Sequence, residues 1–243
     1  MRVYLAPLII ALAIIVGILI AATAYKYRFK SSETIVVTGL AERDFVSDQI
    51  VWRGTFSRSA EDLRTAYAAL KSDEAEIRRY LNANSIADSN IVFSSVDVQR
   101  NYENRFDENG RVIGSRFSGY NLMGSVTVDS RNIAVVEKLS REITGLLEKG
   151  IELNSTPPSY YYSRLNELKI DLLAKAAQDA KLRAQTIATN SDASLGTLRK
   201  ANMGVFQITG KNSKEDFSYG GVFNTSSKEK TASITLRVEY QMD

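Results

Sequence analysis

The sequence predicts an α+β fold in which a largely antiparallel sheet carries three helices, preceded by one transmembrane helix. The 243 residues are 44% hydrophobic and 24% charged, a composition that is typical of a globular protein. The predicted elements follow the order two strands, helix, two strands, helix, one strand, helix, two strands. Because single strands do not alternate with helices, this order favours helices layered on an antiparallel sheet over a doubly wound parallel sheet.

The N-terminal segment is apolar enough to span a bilayer. Between Val3 and Tyr25 the sequence contains no charged residue, and about twenty helical residues cross the hydrocarbon core of a membrane. We therefore predict that residues 1–30 form a membrane anchor with a basic flank, in which residues 3–24 contact the lipid bilayer. Residues 31–243 are then expected to form one folded domain.

Cleavage and orientation of this segment both stay open from the residues alone. The triplet Ala22-Thr23-Ala24 has the form of a signal-peptidase site, whereas the apolar stretch is longer than the usual signal and favours an uncleaved anchor. Three basic residues after the stretch outnumber Arg2 and the amino terminus before it. Counting positive charges alone would therefore keep the domain in the cytoplasm.

The net charge of +3 comes from the flanks of the apolar segment. Arg2, Lys26, Arg28 and Lys30 all lie there, and residues 31–243 carry 27 basic and 28 acidic side chains, a net charge of −1. A domain with this balance has no excess of positive charge to attract a phosphate backbone. We predict that nucleic acid is not a partner.

The chain contains no cysteine and no histidine. Their absence removes thiolate and imidazole metal ligands, Ser-His and Cys-His nucleophile pairs, and imidazole acid-base chemistry. The glycines at positions 204, 210, 220 and 221 also lack the strand-to-helix setting of a phosphate-binding loop. We therefore expect a protein that is not an enzyme, with no catalytic residues, no cofactor and no metal site.

The elements of the first half are recognised by period-two alternation in strands and by 3.6-residue spacing in the helix. A polar turn is expected at residues 41–48, an N-cap at Ser59, and a tight hairpin turn at Asn109-Gly110. The predicted elements are strands 34–40 and 49–57, a helix from Ser59 to about Asn82, and a long hairpin of strands 91–102 and 116–128.

In the second half, Ser130 is expected to cap a helix that ends at Lys149-Gly150. Pro157-Pro158 weakens the strand that contains it and indicates a sheet edge. Residues 209–230 form a polar loop that we expect to be mobile. The predicted elements are a helix from Ser130 to Gly150, strand 151–159, a helix over about 163–190, and strands 198–208 and 232–241.

Several segments resemble one known family, the SIMPL (DUF541) proteins, and the resemblance covers nearly all of residues 33–241. The family's usual Pro-Asp before the second strand appears here as Ser47-Asp48, without the proline. The segments that carry the resemblance are IVVTGLAE at 35–42, SNIVFSSVDVQRNY at 89–102, the returning strand at 120–128, AAQDAKLRAQTIA at 176–188 and SLG at 194–196.

The resemblance implies an exported or membrane-anchored domain of the bacterial cell envelope. It also implies assembly into ring-like homo-oligomers, an association with stress tolerance, and no established catalytic residue. On this basis we expect a single-pass protein of the cytoplasmic (inner) membrane whose domain faces the periplasm or the cell exterior.

Three groups of residues invite a sharper interpretation. The tyrosines at 160–162 are interpreted as a strand end packed beneath the third helix, rather than as an aromatic recognition patch. The carboxylates are interpreted as solvated, and the hairpin arginines as part of a mixed-charge surface rather than a lipid-phosphate site. Trp52 and the alanines of the third helix are expected in the core. The carboxylates are Asp44, Asp48, Asp97, Asp107 and Glu108, and the arginines are Arg100, Arg105, Arg111 and Arg116.

Two functions of different classes follow. The first is a non-catalytic envelope protein that self-assembles through strand edges or the long hairpin. The alternative is a binding module in which the loop at 209–230 captures a peptide, a client protein or a cell-wall component. A hydrolase that relies on carboxylates alone is the least favoured hypothesis.

Overall fold

The computed structural model describes residues 5–30, 33–216 and 218–242, and has an α+β architecture with antiparallel sheets. The four α-helices in these residues are α1 (Leu5–Lys30), α2 (Leu63–Ala83), α3 (Ile133–Glu142) and α4 (Leu165–Asn190). The strands are β1 (Thr34–Val46), β2 (Gln49–Ala60), β3 (Ile91–Phe93), β4 (Asp97–Phe106), β5 (Val112–Ser130), β6 (Glu152–Ser155), β7 (Ser159–Tyr161), β8 (Leu195–Met203), β9 (Gln207–Gly210) and β10 (Glu229–Met242). Short 3-10 helices span Asp88–Asn90 and Ile143–Lys149.

The strands form two sheets instead of the single sheet that the sequence predicts. In the first sheet β10 lies between β1 and β8, and β9 also pairs with β10. In the second sheet the order is β3-β5-β2-β6, while β4 pairs with β5 and β7 pairs with β2. The consecutive strands β1 and β2 enter different sheets because β1 pairs along its whole length with the distant β10.

Several strand boundaries differ from the prediction. β1 continues to Val46 because its ladder with β10 continues, so the predicted turn at 41–48 shrinks to residues 47–48. The predicted strand 91–102 is divided into β3 and β4, and strand 198–208 into β8 and β9. The predicted strand 151–159 becomes β6 and β7, since Pro157-Pro158 between them has no N–H groups to continue a ladder.

Two predicted helix caps are wrong. Ser59 still pairs with Asn121 inside the sheet, and the N-cap of α2 is Asp62, whose carboxylate accepts from the N–H of Thr65 at 2.9 Å. Similarly, Ser130 is the last residue of β5, and α3 is capped by Asn132. In both cases the strand extends further than local sequence indicates, because cross-strand partners continue it.

Each sheet has its own hydrophobic core. Trp52 is fully buried in the core formed by the second sheet with α2 and α3, and its indole N–H donates to Ser155 Oγ at 2.9 Å. The core of the first sheet is covered by α4, in which Ala176, Ala180 and Ala184 are buried as predicted. Ala188 is buried as well, whereas Ala174 and Ala177 are exposed.

α1 precedes the first sheet, and its side chains are described for residues 12–25. All of them are exposed, including Leu12 at 62% and Ile20 at 63%. Among the residues described to this level, no helix is both long enough and apolar enough to cross a membrane. The predicted lipid-contacting segment 3–24 begins outside the described residues.

Candidate functional site

A two-stranded arm extends from the second sheet. β2 accompanies β5 only from Tyr120 onward, so residues 112–119 pair with β4 alone among the strands that the structure describes. We call residues 97–119, which comprise β4, the turn at 107–111 and the first part of β5, the hairpin arm. All ten residues of β4 are exposed, whereas the second half of β5 alternates between buried and exposed positions. The arm therefore stands away from the cores.

The hairpin arm carries a row of aromatic rings. Tyr102 contacts Phe117 edge to face at a centroid distance of 5.9 Å, and Phe117 contacts Tyr120 at 5.1 Å. Two strands without a covering layer are marginally stable in water. An arm with this much uncovered apolar surface is typical of a contact site. Its exposed apolar side chains are Val98, Tyr102, Phe106, Val112, Ile113 and Phe117.

The tip of the arm is a tight turn organised by Asp107. The carboxylate of Asp107 accepts hydrogen bonds from the backbone N–H groups of Asn109 at 2.9 Å and Arg111 at 2.8 Å. Gly110 adopts a φ of 75°, the left-handed conformation that glycine tolerates best. The predicted hairpin turn is confirmed, and Asp107 has a structural role in it.

The charges of the arm are mixed. Four arginines are accompanied by four carboxylates, and Arg116 lies 3.8 Å from Glu103 on the opposite strand. This arrangement agrees with the prediction of a mixed-charge surface, since the arm has no net charge. The arginines are Arg100, Arg105, Arg111 and Arg116, and the carboxylates are Asp97, Glu103, Asp107 and Glu108.

The two sheets meet at a second candidate site, which we call the junction and which consists of residues 47–48, 160–163 and 225–230. The Asp48 carboxylate accepts from both the N–H and the hydroxyl of Ser163 at 2.7 Å. Burial acts to raise the pKa of Asp48, but these hydrogen bonds outweigh it and hold the pKa below its ordinary value. Backbone bonds complete the junction: Ser47 N to Lys228 O, Asp48 N to Tyr161 O and Tyr160 N to Thr225 O.

A buried lysine lies at the centre of the junction. Lys230 is 2% exposed, and its ammonium donates to the backbone carbonyls of Tyr160, at 2.7 Å, and of Asn224. Burial lowers the pKa of Lys230 to about 8, opposed by the attraction of Glu215. The Glu215 carboxylate accepts from Gly210 N at 2.9 Å and from the Asn224 amide at 2.5 Å. One ammonium group thereby joins β7 of the second sheet to the first sheet.

The tyrosines at 160–162 bridge the two cores. Tyr160 packs against the core of the second sheet, and its hydroxyl donates to Glu137 at 2.9 Å. Burial, with this hydrogen bond, raises the pKa of Tyr160. Tyr162 packs against the other core, with its ring 4.9 Å from that of Phe45. The predicted position beneath the third helix therefore holds for Tyr162, which packs against the core that α4 covers, but not for Tyr160, which packs against the other core.

A groove of about 500 Å³ lies beside the segment that follows β9. Leu40 and Thr235 line it from the first sheet, Val205 from the connection between β8 and β9, and Tyr219, which is fully exposed, from its rim. The segment itself is held by Glu215 and by the side chain of Gln207, which donates to Ser218 O at 2.8 Å. The predicted loop is therefore anchored at several points.

The sequence profile of the SIMPL family, described as a protein of unknown function (DUF541), matches residues 35–241. The chain belongs to this family. A search of curated proteins gave no match. The matched range contains both sheets, the hairpin arm and the junction of the SIMPL domain.

Asp44, Asp48, Asp97 and Asp107, which were considered from the sequence, each bind a different partner in the SIMPL domain. Asp44 accepts from the Thr231 hydroxyl at 2.7 Å, and this hydrogen bond, with one from Lys211, lowers its pKa. Asp97 accepts from Gln99 at 3.2 Å on the arm, far along the chain from Asp44. Within the described part of the SIMPL domain, no three acidic side chains are grouped to hold a metal ion.

Sequence reasoning missed the buried network around Lys230. The signal was present, because β10 alternates and Lys230 shares the buried register with Ala232 and Ile234. Lys230 was assigned to the end of a polar loop, since lysine is seldom buried. The carbonyls that accept from it belong to distant segments, and local sequence does not reveal them.

Proposed function

We propose that this SIMPL protein is a non-catalytic component of the bacterial cell envelope that self-assembles into a homo-oligomer. In this proposal residues 3–24 anchor it in the cytoplasmic membrane as a single pass, and the domain faces the periplasm or the exterior. The assembly contributes to stress protection. Assembly, rather than bond-making, is the mode of action.

The exposed hairpin arm is the observation that carries self-assembly. Its strands present aromatic and aliphatic side chains to solvent, and a two-stranded ribbon gains stability when further strands or another layer cover it. The arm has balanced charge, which suits an identical partner better than a strongly acidic or basic one. The aromatic pair Tyr102 and Phe117 is expected to anchor the contact.

Membrane anchoring is supported by α1. Every described side chain from residue 12 to residue 25 is exposed, and most are aliphatic. A helix that is apolar on all faces and has no protein surface covering these side chains matches a lipid environment. The family resemblance supports the placement of the domain outside the cytoplasmic membrane.

The self-assembly proposal is tested on the full chain in mild detergent by size-exclusion chromatography with light scattering. We expect a mass of several chains for the natural sequence and a smaller mass for the double variant Tyr102→Ser, Phe117→Ser. A matched control, Ile170→Ser with Leu182→Ser, removes apolar side chains from α4 that are even more exposed than Tyr102 and Phe117, and it should keep the natural mass. A monomer at every concentration would contradict the proposal.

The location is tested by protease digestion of intact spheroplasts. We expect the domain to be digested while a cytoplasmic control protein survives, and the chain to sediment with membranes until detergent is added. Recovery of the uncleaved chain in the soluble cytosolic fraction would contradict the membrane proposal without affecting the self-assembly experiment.

The groove beside Tyr219 supports the alternative of a binding module for a peptide, a client protein or a cell-wall component. Its mixture of Leu40, Val205 and Tyr219 with polar side chains suits an extended chain. Sedimentation with purified peptidoglycan and with a denatured model client should fall for Tyr219→Ser and Val205→Ser if this function holds. Equal sedimentation of the variants and the natural sequence would exclude the groove.

A further inference from the structure

The long edge strands of the two sheets are protected to different degrees. At the free edge of β1, the Asp179 carboxylate of α4 accepts from the backbone N–H of Leu40 at 2.9 Å, which occupies a group that a new strand would need. The edge strand β8 contains two extra residues relative to β10, at the register shifts beside Glu239 and Tyr240. Bulges and covering side chains of this kind oppose edge-to-edge pairing.

β4 has neither kind of protection. Both register shifts in its ladder place the extra residue on β5, at Ser118 and at Ile113, so β4 itself keeps a regular pleat. β4 is also ten residues long and exposed throughout. In the part of the chain that the structure describes, its outer edge pairs with no strand. The remaining edge strands β3, β6, β7 and β9 span three or four residues each.

Charges along β4 alternate in sign in the order Asp97, Arg100, Glu103, Arg105. A second β4 in antiparallel orientation, centred on Asn101, places each Asp97 opposite an Arg105 of the other copy. A parallel, in-register partner would place every charged residue opposite the same residue of the second copy, and like charges repel. Glu103 already faces Arg116 within the arm, whereas no carboxylate lies within ion-pair distance of Arg105 among the described residues. The charge pattern therefore favours an identical, antiparallel partner.

We propose that β4 pairs edge to edge with β4 of a second copy, antiparallel and centred on Asn101. This inference rests on the proposed self-assembly and names the surface that carries it. The two arms then form a continuous sheet of four strands in the order β5-β4-β4-β5. Such a contact is isologous, and it converts two marginal ribbons into one sheet with an aromatic face.

Single cysteines test the pairing directly, because the natural chain has none. In the full chain in detergent, Asn101→Cys should give a disulfide-linked dimer on mild oxidation, since directly opposed residues lie about 5 Å apart. Asn104→Cys is the matched control: its two copies would lie about 20 Å apart in this pairing and should stay unlinked. Absence of the Asn101 dimer, or equal linkage at both positions, would overturn the β4 contact.

Charge reversal tests the register. Asp97→Arg and Arg105→Asp should each raise the concentration of half-dissociation roughly tenfold, because two like-charged pairs replace two attractive ones. The double reversal should return the concentration of half-dissociation to its natural value. Glu108→Arg in the turn should leave this concentration unchanged. Failure of the double reversal to restore association would overturn the register centred on Asn101.

The two proposals fail in distinguishable ways. If the natural chain assembles but the Asn101→Cys variant is not linked, self-assembly stands and β4 pairing is overturned. If the natural chain is monomeric at every concentration, the proposed function itself fails and the β4 contact fails with it.

Discussion

Asp73 and Arg58 form the most buried ion pair between a helix and a strand of the second sheet in the described residues. Asp73 on α2 is 5% exposed, and it accepts from Arg58 of β2 through two hydrogen bonds of 2.5 and 2.8 Å. The paired geometry satisfies both carboxylate oxygens. Replacing Asp73 leaves Arg58, whose side chain is 32% exposed, with unmet hydrogen bonds on its buried side.

We predict that Asp73→Asn lowers the free energy of unfolding by about 2 kcal/mol, because it removes the charge and one acceptor while keeping the shape. Urea denaturation followed by circular dichroism measures the change. The control is Asp88→Asn. Asp88 and Arg78 form an exposed ion pair at 3.4 Å, so this variant should have the same free energy of unfolding as the natural sequence. An equal loss in both variants would show that burial of the pair is unimportant.

At single positions, the sequence patterns predicted the burial of many side chains correctly. They did not predict the hydrogen-bond partners of those side chains. The alternation of β2 correctly placed Trp52 in the core, but the Ser155 hydroxyl that accepts from its indole lies more than a hundred residues away. The N-cap of α2 is Asp62 and not Ser59, because β2 continues against β5 as far as Ala60. Partners of this kind are set by tertiary pairing, which one sequence does not contain.

At the scale of elements, β1 and α4 pack closely at Gly39. A Cβ added at Gly39 would lie 2.6 Å from the backbone N of Ala180 and 2.7 Å from its Cβ. The alanines of α4 let the helix approach the strand to this distance. Because the obstructing atoms include helix backbone, a larger residue cannot be accommodated by turning a side chain.

We predict that Gly39→Ala lowers the free energy of unfolding by about 2 kcal/mol through this overpacking. Thermal or urea unfolding measures it. Gly145→Ala is the control, since a Cβ at Gly145 meets no atom within 4 Å in the described structure and should be neutral or slightly stabilising. Equal stability of the Gly39→Ala variant and the natural protein would mean that α4 can move away from β1 at little cost.

The helices α2 and α4 lie where helical periodicity placed them, and the hairpin was found from alternation and its Asn-Gly turn. The predicted helix from Ser130 to Gly150 is shorter: α3 ends at Glu142, and a 3-10 helix continues over Ile143–Lys149. Division of the strands between two sheets was not foreseen. Alternation shows which face of a strand is buried, but β1 and β2 have the same pattern while their partners β10 and β5 differ. The division of the predicted strand 91–102 into β3 and the exposed β4 was also missed, because Ser94-Ser95 is too short a polar segment to indicate an interruption.

At the scale of the whole molecule, the junction decides how the two halves hold together. Each sheet has a separate core, and the contact between them is built from polar groups and tyrosines around Lys230. Lys228 adds an ion pair to Glu137 of α3 at 3.4 Å. The stability of this contact is therefore expected to respond to the protonation of Lys230.

The sign of that response follows from the pKa of Lys230, which burial lowers from its ordinary 10.5 to about 8. The unfavourable burial of the charge is fully present below about pH 8, and it is relieved between pH 8 and 10.5, where the folded protein has released a proton that the unfolded chain retains. We predict that the free energy of unfolding of the natural protein, relative to Lys230→Met, rises with pH by at most about 1.4 kcal/mol per unit in this window. Urea denaturation at pH 7, 8 and 9.5 measures this rise. Tyr80 and Tyr160 do not interfere in this range, because burial raises their pKa values. A relative stability that is constant from pH 8 to 9.5 would show that Lys230 keeps its ordinary pKa, and one that falls would show a raised pKa; either result would contradict the prediction.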